Sequence, residues 1–289
     1  MSVRVGIQLY SVRTSMGKDP HRTLERLAEL GFTHLEGANH HADTDDGIGF
    51  GMPARDLRAI LDRLGMDIVG CHINPLNLDR LPEILDYHGE LGNTRVGCDI
   101  EFFPYADMDY VLRRAEFFND VGELCRARGM RFYYHNHYQE FQIVDGRTVY
   151  DLIMEHTDPG LVYVEMDTYW MARGGQDPVT MMKKYRDRLI LLHQKDFPRD
   201  APQPLVMFEG IVDRNAPITM ETFLETKDPR CFTEIGTGIM PIQEIIDTAL
   251  DCPNFEYLLL EQDHSQLDEL ASVEHSRTAF DRYTGVSWD

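Results

Sequence analysis

The sequence feature that most constrains the fold is a unit in which an amphipathic segment ends at a glycine and a short β-rich run follows. Five such junctions occur, at Leu30-Gly31, Leu64-Gly65, Leu91-Gly92, Arg128-Gly129 and Pro159-Gly160. Glycine adopts the positive φ of a left-handed helix cap without a Cβ clash, so these glycines are expected to mark helix ends. The pattern predicts a chain of alternating helices and strands.

The predicted helices also carry the expected residues at their starts. Asp19-Pro20 and Asp177-Pro178 place Asp at the N-cap and Pro at the first helical position. Apolar residues recur at three- and four-residue spacing, which gives each helix a single face to bury. Two helices show this most clearly, with Leu24, Leu27, Ala28 and Leu30 in one and Leu57, Ile60, Leu61 and Leu64 in the other.

The β-rich runs show little polar and apolar alternation, which is typical of parallel strands covered on both faces. Eight strands are predicted, each followed by a helix, beginning near Val3, Thr33, Asp67, Thr94, Arg131, Val162, Leu189 and Tyr257. Eight such repeats in 289 residues have the size and pattern of a (β/α)8 TIM barrel. We predict a single barrel domain over residues 1–289, in which the irregular stretch 197–229 is a loop insertion over the barrel mouth.

An open, doubly wound sheet is the structural alternative. Its glycine-rich phosphate loop should follow the first strand, where the chain instead reads Gln8-Leu9-Tyr10-Ser11-Val12-Arg13. The absence of glycine from this run favours the barrel.

The charge balance limits the kinds of molecule that the protein is expected to bind. The chain has 28 Lys and Arg against 49 Asp and Glu, a formal charge of −21. A polyanion of this kind repels phosphate backbones and acidic membrane surfaces, so neither nucleic acid nor membrane is expected as a partner. The apolar stretches are far shorter than the roughly 18 residues of a membrane span. With no targeting segment recognised at the N-terminus, we expect a cytoplasmic protein that acts on small molecules.

The five cysteines are Cys71, Cys98, Cys125, Cys231 and Cys252. Their wide spacing contains no paired motif for zinc or redox chemistry. They are expected to be reduced and mostly buried.

Active sites of TIM barrels lie at the C-terminal ends of the strands, and here four consecutive strands end in acidic and histidine residues. These ends contain His135, His137, Glu140, Glu165, Asp167, His193, Glu261 and Asp263. Carboxylates gathered at one rim repel each other, and a divalent cation is the simplest compensation. Oxygen and imidazole donors without thiolate favour Mn²⁺, Mg²⁺, Co²⁺ or Zn²⁺, with Mn²⁺ as the first choice.

Five runs carry a family resemblance: His135-Asn136-His137 with Glu140-Phe141, Asp167-Thr168-Tyr169-Trp170, His193-Gln194-Lys195-Asp196, Glu234-Ile235-Gly236-Thr237-Gly238 and Glu261-Gln262-Asp263. From Val3 to about Tyr283, the chain resembles the sugar phosphate isomerase/epimerase superfamily. These xylose-isomerase-like TIM barrels include inosose dehydratases, tagatose-type epimerases and enzymes acting on 3-oxo-glycosides.

The resemblance implies one divalent metal ion held by Glu140, Asp167, His193 and Glu261. Many relatives carry the strand 5 ligand on the strand itself, where this chain has His135. His135 or His137 is therefore the alternative to Glu140 as the strand 5 ligand.

Such a centre permits proton removal next to a carbonyl, because the cation polarises the oxygen and stabilises the enediolate. His137 is the candidate base, since a neutral imidazole acts near pH 7 and strand alternation places it on the same face as His135. The alternative role for His137 is to orient Glu140. Glu140 and Glu261 can also transfer protons, which makes them catalytic candidates as well as ligands.

The candidate substrate-binding residues are Gln8, Tyr10, His72, His135, Trp170, Lys195 and Glu234. Trp170 and Tyr10 offer flat apolar walls that suit a sugar face. Lys195 either holds a substrate oxyanion or pairs with a carboxylate such as Glu165 or Glu234.

Two reactions fit this site. The first is a metal-dependent isomerase or epimerase acting on a sugar or 3-oxo-sugar. The second is a lyase that uses the same deprotonation for β-elimination, as an inosose-type dehydratase or the catalytic subunit of a 3-oxo-C-glycoside deglycosidase. The latter commonly works with a small second subunit, and a homo-oligomer is the other expected assembly. The segment after strand 7 would then enclose an aromatic aglycone, contact a partner or form a dimer arm.

Two further classes are disfavoured. The DNA-repair endonucleases of the same superfamily normally carry His three residues after the strand 6 Asp, where this chain has Trp170. A non-catalytic sugar-binding protein would be expected to lose a ligand, and all four ligand positions here hold competent residues.

Overall fold

Eight parallel strands form a barrel, and each begins within one residue of its predicted start. The computed structural model describes residues 2–288. The barrel strands are β1 Val3–Gln8, β2 His34–Asn39, β3 Asp67–Ile73, β4 Arg95–Cys98, β5 Arg131–His135, β6 Val162–Asp167, β7 Leu189–Gln194 and β8 Tyr257–Leu260. Their runs of buried Val, Ile and Leu explain why no clear alternation is visible in the sequence.

The barrel is closed by hydrogen bonding between its first and last strands. Neighbouring strands pair in chain order from β1 to β8, and β1 pairs with β8 with Arg4 opposite Tyr257 and Ile7 opposite Leu260. A short strand, Val286–Ser287, adds to the outer end of β1. The prediction of a single-domain (β/α)8 barrel is confirmed, and the open sheet is excluded.

Helices surround the barrel and cover its outer apolar face. They are α1 Arg13–Lys18, α2 Pro20–Glu29, α3 Ala54–Leu64, α4 Leu81–Glu90, α5 Met108–Ala127, α6 Val149–His156, α7 Thr168–Arg173, α8 Pro178–Lys184, α9 Met220–Thr226, α10 Ile242–Leu250 and α11 Glu269–Phe280. Asp19 and Asp177 cap α2 and α8 as predicted, accepting from the backbone N–H groups of Arg22 at 3.0 Å and Thr180 at 2.7 Å.

Four of the five junction glycines mark helix ends. Gly31, Gly65, Gly92 and Gly129 adopt positive φ within two residues of the ends of α2, α3, α4 and α5. The same prediction is wrong for Gly160, which is not in the left-handed region. Helix α6 already ends at His156, and the N–H of Gly160 donates to Oδ1 of Asp158 at 2.7 Å. Gly160 therefore belongs to a side-chain-stabilised turn.

The barrel carries a polar layer at its C-terminal rim, above a smaller apolar cluster. This cluster consists of Val69, Tyr133, Ile190, Leu191, Tyr257 and Leu259. Below it, the guanidinium groups of Arg95 and Arg131 both pair with Glu256. The apolar cluster and these ion pairs therefore separate the polar residues of the rim from the solvent at the N-terminal end of the barrel.

The segment 197–229 reaches the barrel mouth through α9. Arg173 holds the start of the segment by donating to the carbonyl of Pro204 and the amide oxygen of Gln203, both at 2.6 Å. On α9, the ring of Phe223 lies 5.2 Å from that of His137 and 5.3 Å from that of Trp170. The segment therefore contributes side chains next to the predicted site.

All five cysteines are free and buried, as expected. Across residues 2–288, no helix combines the length and apolarity that a membrane crossing requires.

Candidate functional site

Four strand ends bring together a buried group of two imidazoles and two carboxylates. His135 ends β5, Asp167 ends β6, His193 lies in β7 and Glu261 follows β8. One ligand atom from each of these residues lies within 4.8 Å of the others. We refer to His135, Asp167, His193 and Glu261 as the donor group. A second set that meets the same criterion, His72, His135, Glu165 and His193, shares both histidines with it.

Lys195 supplies a positive charge inside the donor group. Its ammonium contacts the carboxylates of Asp167 and Glu261 and lies 3.6 Å from Oδ1 of Asp263. Burial alone would lower the pKa of Lys195, but these three carboxylates raise it well above its usual value. These contacts, rather than Glu165 or Glu234, are the ion pairs of Lys195 within the described chain.

His193 connects the donor group with a second layer of carboxylates. Its Nδ1 lies 2.7 Å from Oε2 of Glu261, and its Nε2 lies 2.6 Å from Oε2 of Glu36 and 3.1 Å from Oε1 of Glu165. Both nitrogens therefore donate to carboxylates here, and with Glu36 on the Nε2 side, Nδ1 is the nitrogen that would face a cation. Glu36 and Glu165 thus orient His193 toward the donor group.

Glu36 was not predicted from the sequence, although a signal was available. It is a carboxylate within β2, a strand whose six residues are all buried. Its oxygens accept from Nε2 of Gln8 at 2.9 Å and from the hydroxyl of Tyr133. Burial and the nearby charge of Glu165 raise the pKa of Glu36.

His135 presents a ring nitrogen to the donor group. Its Nδ1 lies 2.8 Å from the backbone oxygen of Asp99, to which it donates as the Nδ1–H tautomer. Its buried Nε2 lies 3.5 Å from Oδ2 of Asp167 and has no hydrogen-bond partner among the described residues. This orientation suits a metal ligand, because Nε2 faces the carboxylate of Asp167 within the donor group.

Glu140 lies outside the donor group. Its Oε1 accepts from the hydroxyl of Tyr134 at 2.9 Å, and its Oε2 accepts from the backbone N–H of His137 at 3.0 Å. Burial raises the pKa of Glu140 to about 7. The structure thus brings His135, rather than Glu140, together with Asp167, His193 and Glu261.

Asp167 is fixed by the start of α7. Its Oδ1 accepts from the backbone N–H of Trp170 at 2.7 Å as the helix N-cap, which leaves Oδ2 directed at Lys195 and His135. The backbone N–H of Asp167 donates to the side-chain oxygen of Asn136 at 3.1 Å. Asn136, which lies between His135 and His137, therefore links the strand 5 run to Asp167.

The donor group fits a divalent cation. It offers two nitrogen and two oxygen ligands without a thiolate, it is buried, and one of its nitrogens lacks a partner in the described structure. Two adjacent buried carboxylates require a compensating cation, and here the ammonium of Lys195 fills that role. This donor set matches the preferences of Mn²⁺, Mg²⁺, Co²⁺ and Zn²⁺.

A cavity of about 340 Å³ opens above the donor group. Its polar lining includes His72, Asn74, Asp99, His137, Glu261 and Asp263. Its apolar lining is formed by Tyr10, Ile100, Met220, Phe223 and Leu224, three of them on α9. A polar floor beside an apolar wall suits an amphipathic small molecule.

His137 lines this cavity next to the donor group. Its ring lies 4.9 Å from that of His135 and 5.4 Å from that of Trp170. Its Nδ1 is buried without a hydrogen-bond partner among residues 2–288. Burial, assisted by the positive charges of His135 and Lys195, lowers the pKa of His137 well below its usual value, so the imidazole is neutral near pH 7.

Six of the seven predicted substrate-binding residues divide into two sets. Tyr10, His72 and His135 line the cavity. Gln8, Trp170 and Lys195 are buried behind it, where Gln8 supports Glu36 and Trp170 packs against His137 and Phe223.

Glu234 lies away from the cavity lining. Its Oε1 accepts from the hydroxyls of Ser265 at 2.5 Å and Ser272 at 2.9 Å. The glycine-rich run that follows it wraps around the buried carboxylate of Asp196, which accepts from the backbone N–H groups of Gly236, Gly238 and Met240. In this structure the Glu234 motif and Asp196 form a structural loop.

Several further residues at the mouth were not predicted from the sequence. His40, Asp99, Met220, Phe223, Leu224 and Lys227 all line the cavity. His40 Nε2 lies 3.4 Å from Oδ2 of Asp99. These residues lie in loops or on α9, so periodicity within strands gave no signal for them.

Comparison with curated proteins identifies inosose dehydratases as relatives. The chain is 30% identical to the inosose dehydratase of Clostridium perfringens over 165 residues, which is 55% of this chain and 51% of that protein. It is 27% identical to the inosose dehydratase of Geobacillus kaustophilus over 203 residues, 62% of each. The chain thus spans about half the length of the first relative that it matches. No protein-family model matches the chain.

Three solved structures illustrate the fold that this chain shares. A sugar phosphate isomerase/epimerase from Parabacteroides distasonis aligns with a TM-score of 0.73 and 24% identity, over 99% of this chain and 96% of that chain. The probable 3-DHS dehydratase of Bacillus anthracis gives 0.64 and 14%, over 94% and 97%. A xylose isomerase-like TIM barrel protein from Mycobacterium smegmatis in complex with magnesium gives 0.65 and 14%, over 96% and 94%.

The fold is therefore that of the xylose isomerase-like TIM barrels. The resemblance indicated by the sequence motifs is confirmed by inosose dehydratase relatives and by structural neighbours named sugar phosphate isomerase/epimerase.

Proposed function

We propose that this chain removes a proton next to the carbonyl of a sugar or cyclic polyol ketone, at a divalent metal centre held by the donor group. The observation that carries the proposal is the buried set of two imidazoles and two carboxylates at the floor of a cavity that His137 also lines. The inosose dehydratase relatives support this substrate class, because an inosose is a cyclic polyol ketone.

His135, Asp167, His193 and Glu261 would hold the metal, with Mn²⁺ as the first choice. When bound, a divalent cation supplies Lewis-acid polarisation of the substrate carbonyl and stabilises the negative charge of the enediolate. Glu36 and Glu165 keep the Nε2 side of His193 occupied, so that Nδ1 faces the donor group.

His137 takes the proton in this proposal. Its imidazole borders the cavity, and its buried Nδ1 is without a partner in the described chain. A base needs an available lone pair, and that lone pair must lie within hydrogen-bond reach of the substrate. His137 provides the available lone pair, and its ring lies on the cavity wall next to the donor group.

We favour β-elimination, a lyase reaction, as the outcome of this deprotonation. Elimination needs an acid to protonate the leaving group as well as a base, and the Asp99–His40 pair lines the same cavity. The names of the relatives and of one structural neighbour, which are dehydratases, support the same choice.

Isomerisation or epimerisation is the second candidate. His137 and Asp99 both line the cavity, and either group can return a proton to the enediolate after His137 has removed one. The name of the Parabacteroides distasonis structure supports this reading.

The apolar wall of the cavity, which includes Met220 and Leu224, favours a substrate that carries an apolar group. Met220 and Leu224 are 44% and 59% exposed although both line the cavity. Covering these side chains with an apolar group of the substrate, such as an aromatic aglycone, would remove apolar surface from water. A 3-oxo-glycoside is therefore proposed beside the inososes as a substrate class.

NMR in deuterated water with added Mn²⁺ tests these proposals. The substrates are scyllo-inosose and a phenyl 3-oxo-glucoside, with Asp167→Asn as the inactive control. Loss of water from the inosose, or release of phenol, would support the lyase. Deuterium next to the ketone without elimination would support the isomerase or epimerase. If neither substrate exchanges a proton or reacts, the proposed deprotonation is rejected for both classes.

A further inference from the structure

We propose that Lys195 is an internal counter-cation that occupies the metal position when no metal is bound, and that it must leave this position for a divalent cation to bind. This inference rests on the metal centre of the proposed function. It assigns to Lys195 a role in controlling metal affinity, beyond contact with substrate.

The geometry places the ammonium and the metal at the same oxygens. Lys195 contacts Oδ2 of Asp167 and Oε2 of Glu261, which are the two carboxylates of the donor group. A divalent metal ion held by those oxygens would need the space that the ammonium now takes. Two cations cannot share that space, so the ammonium and the metal exclude each other.

Burial makes this exclusion energetically important. Lys195 and Asp167 are fully buried, and Glu261 is 6% exposed. Charges inside a protein interact more strongly than charges in water, because the surroundings screen them less. The ammonium therefore stabilises the metal-free carboxylates, and the same charge opposes the entry of a second cation.

The displaced ammonium has a defined acceptor. Oδ1 of Asp263 lies 3.6 Å from the Lys195 Nζ, is buried, and has no hydrogen-bond partner within the described part of the chain. Asp263 also lines the cavity, whereas Lys195 does not. A small rotation of the lysine toward Oδ1 would vacate the donor group and move the ammonium toward the substrate.

Calorimetric titration of the full-length, metal-free chain with MnCl₂ tests the proposal. Lys195→Met removes the ammonium but keeps an unbranched side chain about as long as the apolar stem of lysine. The matched control is Lys227→Met, because Lys227 also contacts Asp263, at 3.3 Å, but lies outside the donor group. We expect Lys195→Met to bind Mn²⁺ at least about 10-fold more tightly than the wild type and to melt at a lower temperature without metal. Lys227→Met should change the affinity by less than about 3-fold.

A second variant keeps the test decisive if Lys195→Met does not fold without metal. Asp263→Asn weakens the acceptor for the displaced ammonium, so Mn²⁺ should bind about 3- to 10-fold more weakly than to the wild type. The same substitution should have no such effect in a Lys195→Met chain refolded with Mn²⁺.

The two proposals fail in different ways. If the wild type binds no divalent cation, the metal centre itself is rejected. If the wild type binds Mn²⁺ but Lys195→Met binds it equally or more weakly, the metal centre stands and the role of Lys195 is overturned.

Discussion

The two histidines of the strand 5 run lie two residues apart and have different surroundings. His135 places its Nδ1 against a backbone carbonyl and turns its Nε2 to the buried carboxylates. His137 borders the cavity with a nitrogen that has no partner in residues 2–288. The first arrangement suits a ligand and the second suits a base, which gives two separate predictions.

His137→Gln should lower turnover about 10²- to 10⁴-fold, because the base is removed while the donor group is intact. Steady-state kinetics would measure the loss, and elemental analysis should find the wild-type metal content. His275→Gln, at an exposed position on α11, is the control that should keep full activity. Loss of metal together with activity would assign His137 to metal binding instead.

His135→Gln should weaken Mn²⁺ binding by at least about 10-fold, because one of two imidazole ligands is lost. Glu140→Gln should bind Mn²⁺ within about 3-fold of the wild type, since its carboxylate is engaged by Tyr134 and the backbone of His137. Titration calorimetry compares the two variants directly. The reverse result would support Glu140 as the strand 5 ligand that the family resemblance implies.

At the scale of elements, a glycine in one strand leaves space for a large side chain from the neighbouring strand inside the barrel. Gly97 in β4 faces the ring of Tyr133 in β5, and a Cβ at Gly97 would lie 2.1 Å from that ring. The missing side chain allows Tyr133 to cross the interior and donate to Glu36. A glycine in β4 thereby supports a carboxylate in β2.

Gly97→Ala should therefore destabilise the fold by about 1–3 kcal/mol, because the added methyl group overpacks a rigid ring. Chemical denaturation would measure the free energy of unfolding. Gly17→Ala is the matched control, since a Cβ in that helix meets no atom within 4 Å. That change should be neutral or stabilising by up to about 1 kcal/mol. Equal stability of the two variants would show that Tyr133 can move without cost.

At the scale of the whole molecule, one part of the response of stability to pH can be assigned to a buried group away from the site. His88 on α4 is fully buried, and burial lowers its pKa to about 3. In the unfolded chain a histidine titrates near its ordinary pKa of about 6.5. Between these values the unfolded state binds the extra proton, so the folded state loses stability as pH falls through this window.

From about pH 7.5 to about pH 5, this single group should cost the wild type about 2 kcal/mol of unfolding free energy. His88→Gln should lose that part of the pH dependence, because glutamine does not titrate and can still accept from Asn93. Urea denaturation at both pH values would measure the difference, with His275→Gln as the exposed control. An unchanged pH dependence in His88→Gln would mean that His88 is protonated in the folded protein.

The sequence by itself determined the barrel, because its evidence is local and repeated. Helix caps, apolar spacing and β-rich runs each predicted an element, and all eight strands begin within one residue of their predicted starts. The prediction that Gly160 ends a helix was wrong, because a glycine before a strand can belong to a turn as well as to a helix end. The chemistry of the rim was also visible, because parallel strands deliver their C-terminal residues to one edge.

Only the tertiary structure decided which of those residues meet. Register irregularities adjoin Glu36 in the β2–β3 pair and Glu165 in the β6–β7 pair, and both carboxylates reach His193. The placement of Lys195 between Asp167 and Glu261 depends on two other strands. The apolar wall depends on how α9 folds back over the mouth. These contacts join residues far apart in the chain, and the spacing of residues along one strand carries no information about the side chains of another.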